Sequence, residues 1–371
     1  MEKMKIVLLG DSGKKEFVDE LKKHCIIEWK SKIEETIREC AYIIIMERDI
    51  LKSDQLRKNL LEQGISEDKI LEYCFFEKEP PKSQMEFFQQ KYCQNLFNGF
   101  WFGMSHSYSG LLEDVLAGKK LYKFSAPSMD IYYHFLLLNR LEEIYDMGKI
   151  KKIYFELPYY AFNYDVSRCP NVFEQRINYF YYLQDYHHFG QSPDQKRRIY
   201  IFKKLNELTG NAFYRTFQNL EACIPESKMH QRFQQFKRIT YYTFRRKEKH
   251  DWTEKEISDV ERIKPHVWYK DRAATVAENR QIWNSILSWI ERYPWIQLQI
   301  VVFPFCPYFI NANRDVIDAK RKEFMDNIVV DANQVTDMFD AYMEHPEYFD
   351  DECHLNFSGA YYFSKKINRF L

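Results

Sequence analysis

Short apolar runs alternate with charged, amphipathic stretches over the first 75 residues. The apolar runs cover residues 5–9, 25–29, 41–46 and 69–73, and the helical stretches cover residues 13–23, 31–39 and 53–64. Runs of four to six β-favouring residues separated by amphipathic stretches indicate βαβ units on a parallel sheet. The charged segment 77–82, with its two prolines, breaks the pattern, so we predict a small α/β module over residues 1–80.

A second alternation follows this boundary. Its apolar runs cover residues 97–104, 120–125, 152–157 and 296–305, and each ends in small or turn residues, as parallel strands do at their carboxyl ends. Between Tyr159 and about Pro294 the pattern is helical and rich in Tyr, Phe and Arg. We therefore predict a second α/β domain over residues 95–371 with a large helical insertion over about 160–290.

Composition and charge narrow the classes of function. A chain of 371 residues suits about two domains, and its 11 Gly and 12 Pro lie below average usage, which excludes a Gly/Pro-rich disordered chain. Lys and Arg together number 54, as do Asp and Glu, so no overall field draws the chain to nucleic acid or anionic lipid. We expect a neutral or small substrate and no nucleic-acid partner; the sequence leaves the oligomeric state open.

The cysteines and the lengths of the apolar runs indicate in which cellular compartment the protein is expected. Eight Cys are scattered without a C-x-x-C pair, which indicates reduced, mostly buried thiols rather than a zinc site or a disulfide framework. No apolar run reaches the length of a signal-peptide core or of a membrane helix. We predict a cytoplasmic protein without a transmembrane segment, a metal or a cofactor.

The first motif with chemical content is Gly103-Met104-Ser105, at the end of a predicted strand and the start of a helix. This placement puts the Ser105 hydroxyl at the carboxyl edge of the sheet, where open α/β folds bind ligands. We expect Gly103 to allow a tight turn, and the N–H groups after it to face an oxyanion. The alternative is a Ser-rich loop that caps a helix.

The second motif, Asp351-x-x-His354, lies close to the C-terminus. A carboxylate three residues before a histidine can orient the ring so that its other nitrogen faces a nucleophile. Alone, such a pair is more often a helix cap. With Ser105 it forms a possible catalytic triad.

With these motifs the chain resembles the SGNH (GDSL-like) hydrolase superfamily, whose first block carries the nucleophilic Ser and whose last block is D-x-x-H. More narrowly it resembles a bacterial branch whose first block reads G-x-S-H-x-x-x-G-[LI], related to teichoic-acid D-alanyl transfer and polysaccharide O-acyl modifying proteins. The resemblance covers about residues 95–371. It implies a three-layer α/β/α flavodoxin-like sheet, with Ser105 as nucleophile, His354 as general base and Asp351 as the carboxylate that orients it.

The oxyanion hole departs from the family pattern. The family adds a Gly of its second block and an Asn of its third block to the N–H of the nucleophile. Here Ser128 stands nearest the Gly position, and Asn163 comes several residues late. We therefore take Ser105, Ser128 and Asn163 as candidate oxyanion donors.

Further candidates concern the substrate. We take His106, Tyr159 and Tyr160 as candidate substrate-binding residues, since aromatic rings stack on sugar faces. The predicted function is a serine esterase or O-acyltransferase that acts on an acyl group of a carbohydrate or acylated small molecule. Because the loss of one oxyanion donor costs about 100- to 1,000-fold in turnover, a non-catalytic binding or scaffold protein stays open as the alternative.

Two other hypotheses come from the N-terminal module. Gly10-Asp11-Ser12 spells a GDSL first block, but the Gly110-Leu111 continuation favours Ser105. Glu28 ends the second strand where a ribose-binding acid would lie, yet Gly10-x-x-Gly13-Lys14 matches neither dinucleotide nor P-loop patterns. In residues 41–45 and 61–70 the module resembles degenerate Rossmann-like domains of bacterial sugar-modifying proteins. Because the phosphate-binding pattern is missing, we expect a docking module without a cofactor.

Overall fold

The chain is an α/β protein with two parallel sheets. The computed structural model describes residues 3–10, 15–31, 39–47, 50–73, 97–112, 116, 120–169, 185–210, 249–264 and 273–371. By contact the chain divides into two compact units, Met1–Ser83 with Phe173–Ile224, and Gln84–Val172 with Pro225–Leu371. Among the described helices, none is both long enough and apolar enough to cross a membrane.

The first unit contains a four-stranded parallel sheet in the order β2-β1-β3-β4. Its strands are β1 (Met4–Leu9), β2 (Cys25–Lys30), β3 (Tyr42–Ile45) and β4 (Ile70–Glu72). Its described helices are α1 (Lys15–His24) and α2 (Ile50–Glu62). The apolar side chains of β1, β3 and α2 form one buried cluster, which explains why these strands read as apolar runs.

One helix of the predicted insertion belongs to the first unit. The helix that we label α5 (Pro193–Leu208) contacts β4, where Arg197 forms an ion pair of 2.9 Å with the buried Glu72. The same guanidinium donates to the carbonyl oxygen of Glu67. The sequence analysis places this helix within the predicted insertion of the second domain, whereas by contact it belongs to the first unit. There the Arg197 charge offsets the cost of burying the Glu72 carboxylate.

The second unit contains a five-stranded parallel sheet in the order β6-β5-β7-β8-β9. Its strands are β5 (Gly99–Gly103), β6 (Leu121–Ser125), β7 (Lys152–Glu156), β8 (Gln297–Val302) and β9 (Val335–Asp337). Strands β5 to β8 follow the predicted runs within a few residues. The three half-exposed residues of β9 give no apolar run, and the sequence analysis missed this strand.

Helices cover both faces of this sheet. They are α3 (Ser105–Gly110), α4 (Ile131–Ile144), α6 (Glu254–Arg262), α7 (Ala273–Glu291), α8 (Pro307–Ala312), α9 (Arg314–Ile328) and α10 (Phe357–Ile367). On one face Phe155 of β7 packs edge-on against Trp283 of α7. On the other face Trp101 of β5 contacts Phe303, which packs against Phe363 of α10. Helix α7, predicted as part of the insertion, is therefore a layer of the second unit's core.

Candidate active site

Ser105 lies at the carboxyl edge of the five-stranded sheet. Strand β5 ends at Gly103, Met104 adopts extended backbone, and Ser105 is the first residue of the six-residue helix α3. Ser105 is half-buried, while His106 is 2% exposed. This is the strand-to-helix placement that the sequence predicts.

A buried carboxylate holds this turn in place. Glu156, the last residue of β7, is fully buried, and its Oε2 accepts hydrogen bonds from the N–H groups of Met104 (2.9 Å) and Ser107 (2.8 Å). Its Oε1 is 2.6 Å from Nδ1 of His106. Burial acts to raise the pKa of Glu156, but the bonds from His106 and Ser107 outweigh it and lower that pKa below its usual value. The ionised carboxylate thus joins β7 to the turn that carries Ser105.

Gly103 makes room for that carboxylate. A Cβ at this position would collide with the Oγ atoms of Ser107 and Ser125 and would lie 2.6 Å from Oε2 of Glu156. Its φ is not among the positive values, so the expected tight turn is not the reason for glycine here. The glycine is required by the close approach of polar side chains.

The opposite end of α3 is held by a cation. Lys123 of β6 is buried, and its Nζ donates to the carbonyl oxygens of Ser107 (3.2 Å), Tyr108 (3.2 Å) and Leu111 (2.9 Å). The carboxylate lies at the N-terminal end of the helix and the ammonium at its C-terminal end, which is the favourable arrangement for the helix dipole. A short helix that would be marginal alone is therefore held by side chains from two strands, β6 and β7.

The Asp351–His354 pair forms within one loop. Nδ1 of His354 lies 2.8 Å from Oδ2 and 3.0 Å from Oδ1 of Asp351, and Oδ1 also accepts from the N–H groups of Cys353 and His354. Burial acts to raise the pKa of Asp351, but His354 and these amide groups outweigh it and lower the pKa to about 2. Because the carboxylate only accepts, Nδ1 of His354 donates to it, which is the ring orientation that the predicted role of His354 requires.

The rest of the D-x-x-H-L-N-x-x-G segment fixes this loop. Asn356 is fully buried, caps α10 by accepting from the N–H of Gly359, and donates to the carbonyl oxygen of Glu347. Gly359 has no room for a Cβ, which would collide with the carbonyl oxygen of Tyr348. The N–H of Cys306 donates to the carbonyl oxygen of Glu352. These contacts hold the Asp351–His354 pair against the end of β8.

The two motifs meet through His106. Its ring stacks on the ring of His354 with centroids 5.4 Å apart, and Phe305 lies on the ring of His106 at 5.3 Å. The residue next to Ser105 therefore touches the predicted general base. Among the described residues, however, Ser105 Oγ forms no hydrogen bond with His354.

Two of the predicted oxyanion donors show unusual features. Ser128 has a φ of 62°, in the left-handed region that glycine favours. Asn163 is buried, and its Nδ2 has no hydrogen-bond partner among the described residues. Its segment is fixed by Asn279, which donates to the carbonyl oxygens of Phe162 and Tyr164, and Tyr164 donates to the carbonyl oxygen of Ser128.

The predicted substrate-binding tyrosines lie in different surroundings. Tyr159 is buried, its hydroxyl donates to Oδ2 of Asp337 at 2.7 Å, and its ring stacks on Phe339. This hydroxyl is engaged with the end of β9, and the substrate-binding role of Tyr159 stays a prediction. Tyr160 is half-buried and packs edge-on against Tyr164.

Three residues could together offer ligands to a metal. One ligand atom each of His106, Cys353 and His354 lies within 4.8 Å of the others. The Cys353 thiol lies 3.4 Å from Nδ1 of His354, the nitrogen already bonded to Asp351. Burial, with Asp351 and Glu352 nearby, raises the pKa of this thiol well above its usual value, whereas a metal needs the thiolate. The group fits a hydrogen-bonded array better than a metal site.

The structure describes only some of the residues on which the hypotheses for the first unit depend. Gly10 has a φ of 104°, as a turn after β1 requires, while residues 11–14, including Ser12, lie outside the described residues. The Glu28 carboxylate is 2.9 Å from Nζ of Lys30 and 3.1 Å from Nζ of Lys5. The predicted ribose-binding acid is thus paired with two lysines.

Sequence reasoning missed Glu156 and Lys123. Both lie within predicted strands, where a single charged residue is usually taken as a solvent-facing position. The only available signal is that their neighbours are apolar on both sides, as in a strand buried on both faces.

No protein-family model matches the chain, and no curated protein matches it.

Proposed function

We propose that the second unit is an SGNH-type serine esterase or O-acyltransferase that acts on an acyl group carried by a carbohydrate. The strand order β6-β5-β7-β8-β9 supports this, because it is the flavodoxin-like order with helices on both faces. In such a sheet, ligands bind at the carboxyl ends of the strands. Ser105 follows the first strand of the unit, and the Asp351–His354 loop follows its last strand.

One observation carries the proposal. His354, oriented by Asp351, stacks at 5.4 Å on the residue that follows Ser105. The two motifs are separated by most of the second unit's sequence, and their meeting at one edge of the sheet is what a Ser-His-Asp mechanism requires.

The residues would act in the following order. Nε2 of His354 takes the proton of Ser105 as its Oγ attacks the acyl carbonyl, and gives that proton to the leaving alcohol. The N–H of Ser105, the N–H of Ser128 and Nδ2 of Asn163 stabilise the oxyanion. Water or a sugar hydroxyl then accepts the acyl group from Ser105.

The test is labelling with a fluorophosphonate probe, which reacts with an activated serine. We expect the wild type to be labelled, Ser105→Ala to lose the label, and Ser12→Ala to keep it as the matched control. His354→Gln should lose labelling as well, because the base is removed. Loss in Ser12→Ala alone would move the nucleophile to the first unit.

A second candidate, a non-catalytic binding or scaffold protein, is favoured by a different observation. Ser105 Oγ and His354 form no hydrogen bond in the described part of the chain, although such bonds often tighten only when substrate binds. A wild type that binds an acetylated sugar in a calorimeter but takes no fluorophosphonate label would support this function instead.

A further inference from the structure

A buried histidine outside the candidate triad joins helix α6 to the chain segment that enters the Asp351–His354 loop. His250 is 4% exposed, and its backbone N–H donates to the carbonyl oxygen of Glu347. Its Nδ1 lies 3.1 Å from the carbonyl oxygen of Phe349, and its Nε2 lies 3.2 Å from Oε1 of Glu256. Both ring nitrogens therefore face oxygen atoms of other elements.

Neither of these oxygen atoms can donate a proton. A backbone carbonyl carries none, and hydrogen bonds from the N–H and the hydroxyl of Thr253, followed by the interaction with His250, lower the pKa of Glu256 to about 2. A neutral imidazole has one N–H and the imidazolium has two, so only the protonated ring donates to both oxygens. The indole of Trp252, stacked on His250 with centroids 4.2 Å apart, favours this cation as well.

The residues held by His250 begin the loop that orients His354. Phe349 is fully buried and pairs with Leu355 in an antiparallel bridge. The next residue, Asp350, donates its N–H to the carbonyl oxygen of His354. A shift of the Phe349 carbonyl therefore moves the backbone that positions the His354 ring.

The charged and titratable groups around His250 come from its own segment and from three packed elements. They are Lys249 and Asp251 beside it, Glu256 of α6, Glu347 with its partner His345 before the loop, and Tyr308 of α8, which packs edge-on against Trp252. Glu256 is the group that bonds to the imidazole. Its carboxylate therefore decides which ring proton leaves first.

Loss of one proton from His250 leaves a ring lone pair facing an oxygen lone pair. A hydrogen bond to an ionised carboxylate is stronger than one to a neutral carbonyl, so the neutral ring keeps its proton on Nε2, towards Glu256. Nδ1 then turns its lone pair to the carbonyl oxygen of Phe349, and the two acceptors repel each other. The bond that is lost is thus the one that holds the loop.

We infer that protonated His250 is a positioning residue for the Asp351–His354 pair, and that this loop is released when rising pH removes the second ring proton. The effect on acyl transfer rests on the proposed function, whereas the release of the loop does not. One hydrogen bond corresponds to a change of up to about tenfold in the ratio of held to released loop. Histidine ordinarily changes charge between about pH 5 and 8, which sets the range of the test.

The variant Glu256→Gln reverses the polarity of the ring without removing it. Its amide oxygen still accepts from the N–H and the hydroxyl of Thr253, as Gln does in a capping box, and its NH₂ donates to Nε2 of His250. The neutral ring then carries its proton on Nδ1 and donates to Phe349. The loop of this variant should therefore stay in place after His250 has lost its charge.

Amide hydrogen exchange of residues 346–356, followed by mass spectrometry, measures the loop directly. At pH 5.5 we expect wild type and Glu256→Gln to exchange alike, and at pH 8.5 the wild type should exchange up to about tenfold faster. The matched control His345→Gln removes a ring that bonds to the Glu347 carboxylate in the same segment, and it should follow the wild type at both pH values. Equal exchange of wild type and Glu256→Gln at pH 8.5 would overturn the inference.

Fluorophosphonate labelling connects the loop to the proposed function. The labelling rate of the wild type divided by that of Glu256→Gln should be near one at pH 5.5 and lower by up to about tenfold at pH 8.5, because the titration of His354 is shared and cancels. A constant ratio would refute the positioning role and leave the esterase standing. A wild type that takes no label would overturn the proposed function, while hydrogen exchange would still decide whether the loop is released.

Nitrogen-15 NMR of the histidine rings tests the polarity of His250 without any activity. The signals are assigned from their loss in His250→Gln. At high pH we expect the proton on Nε2 in the wild type and on Nδ1 in Glu256→Gln. A neutral wild-type ring that carries its proton on Nδ1 would contradict the release of Phe349 and refute the inference.

Discussion

A histidine beneath the candidate site gives the most quantitative prediction. His134 of α4 is 1% exposed, and its ring lies 5.8 Å from that of Phe155 and 6.1 Å from that of Phe102. Burial lowers its pKa from 6.5 to about 4, although the charge of Glu156 acts in the opposite direction. The ring is therefore neutral in the folded protein at pH 7.

The sign of the pH effect follows from this depressed pKa. Above about pH 6.5 both states carry a neutral ring, and His134 leaves the free energy of unfolding unchanged. Below it the unfolded chain binds a proton that the folded chain refuses, so stability falls as the pH drops towards 4. Between pH 7 and pH 5 the loss from this one ring is about 2 kcal/mol.

The assay compares wild type with His134→Leu by urea unfolding followed through tryptophan fluorescence at pH 7 and pH 5. All other titrating groups are shared, so their contributions cancel in the difference between the two proteins. We expect the wild type to lose about 2 kcal/mol more than the variant over this range. Equal losses would show that the ring already titrates freely in the folded protein, which would refute the reasoning.

Three further predictions concern the site and its frame. Ser128→Gly should raise the free energy of unfolding by up to about 1 kcal/mol in urea, because left-handed backbone disfavours serine, and should retain fluorophosphonate labelling if the N–H is the donor. Gly103→Ala should lower the free energy of unfolding in urea by about 1 to 3 kcal/mol, since the new Cβ meets Glu156. The same variant should lose fluorophosphonate labelling. Tyr159→Phe removes the hydrogen bond to Asp337 and should lower the free energy of unfolding by about 1 kcal/mol, but it should keep fluorophosphonate labelling.

The strands were the most predictable part of the fold. Strands buried on both faces are mostly apolar, so β5, β7 and β8 appear as largely apolar runs in the sequence. Strand β9 has only three half-exposed residues, and its pairing with β8 supplies what its own side chains do not encode. Helix α5 was misplaced for a related reason, because an amphipathic helix does not specify which sheet it covers.

The candidate site also contains residues that the sequence predicts and residues that it does not. Ser105 and the Asp351–His354 pair are visible in the sequence because each depends on local spacing: a turn after a strand, and a carboxylate three residues before a ring. Glu156 depends on partners about 50 residues away, and its burial is tolerable only because Met104, Ser107 and His106 all donate to it.

Gly103 shows how the two kinds of information combine. As a sequence feature it suggests a tight turn, yet its backbone needs no positive φ. What it supplies is space, which lets Glu156 reach the turn from the neighbouring strand. The glycine and the carboxylate therefore depend on each other. A side chain at position 103 would displace the carboxylate, which accepts from the N–H groups of Met104 and Ser107 and bonds to Nδ1 of His106. The requirement for glycine at position 103 of β5 thus comes from the Glu156 carboxylate of β7, and it cannot be predicted from the sequence of β5 alone.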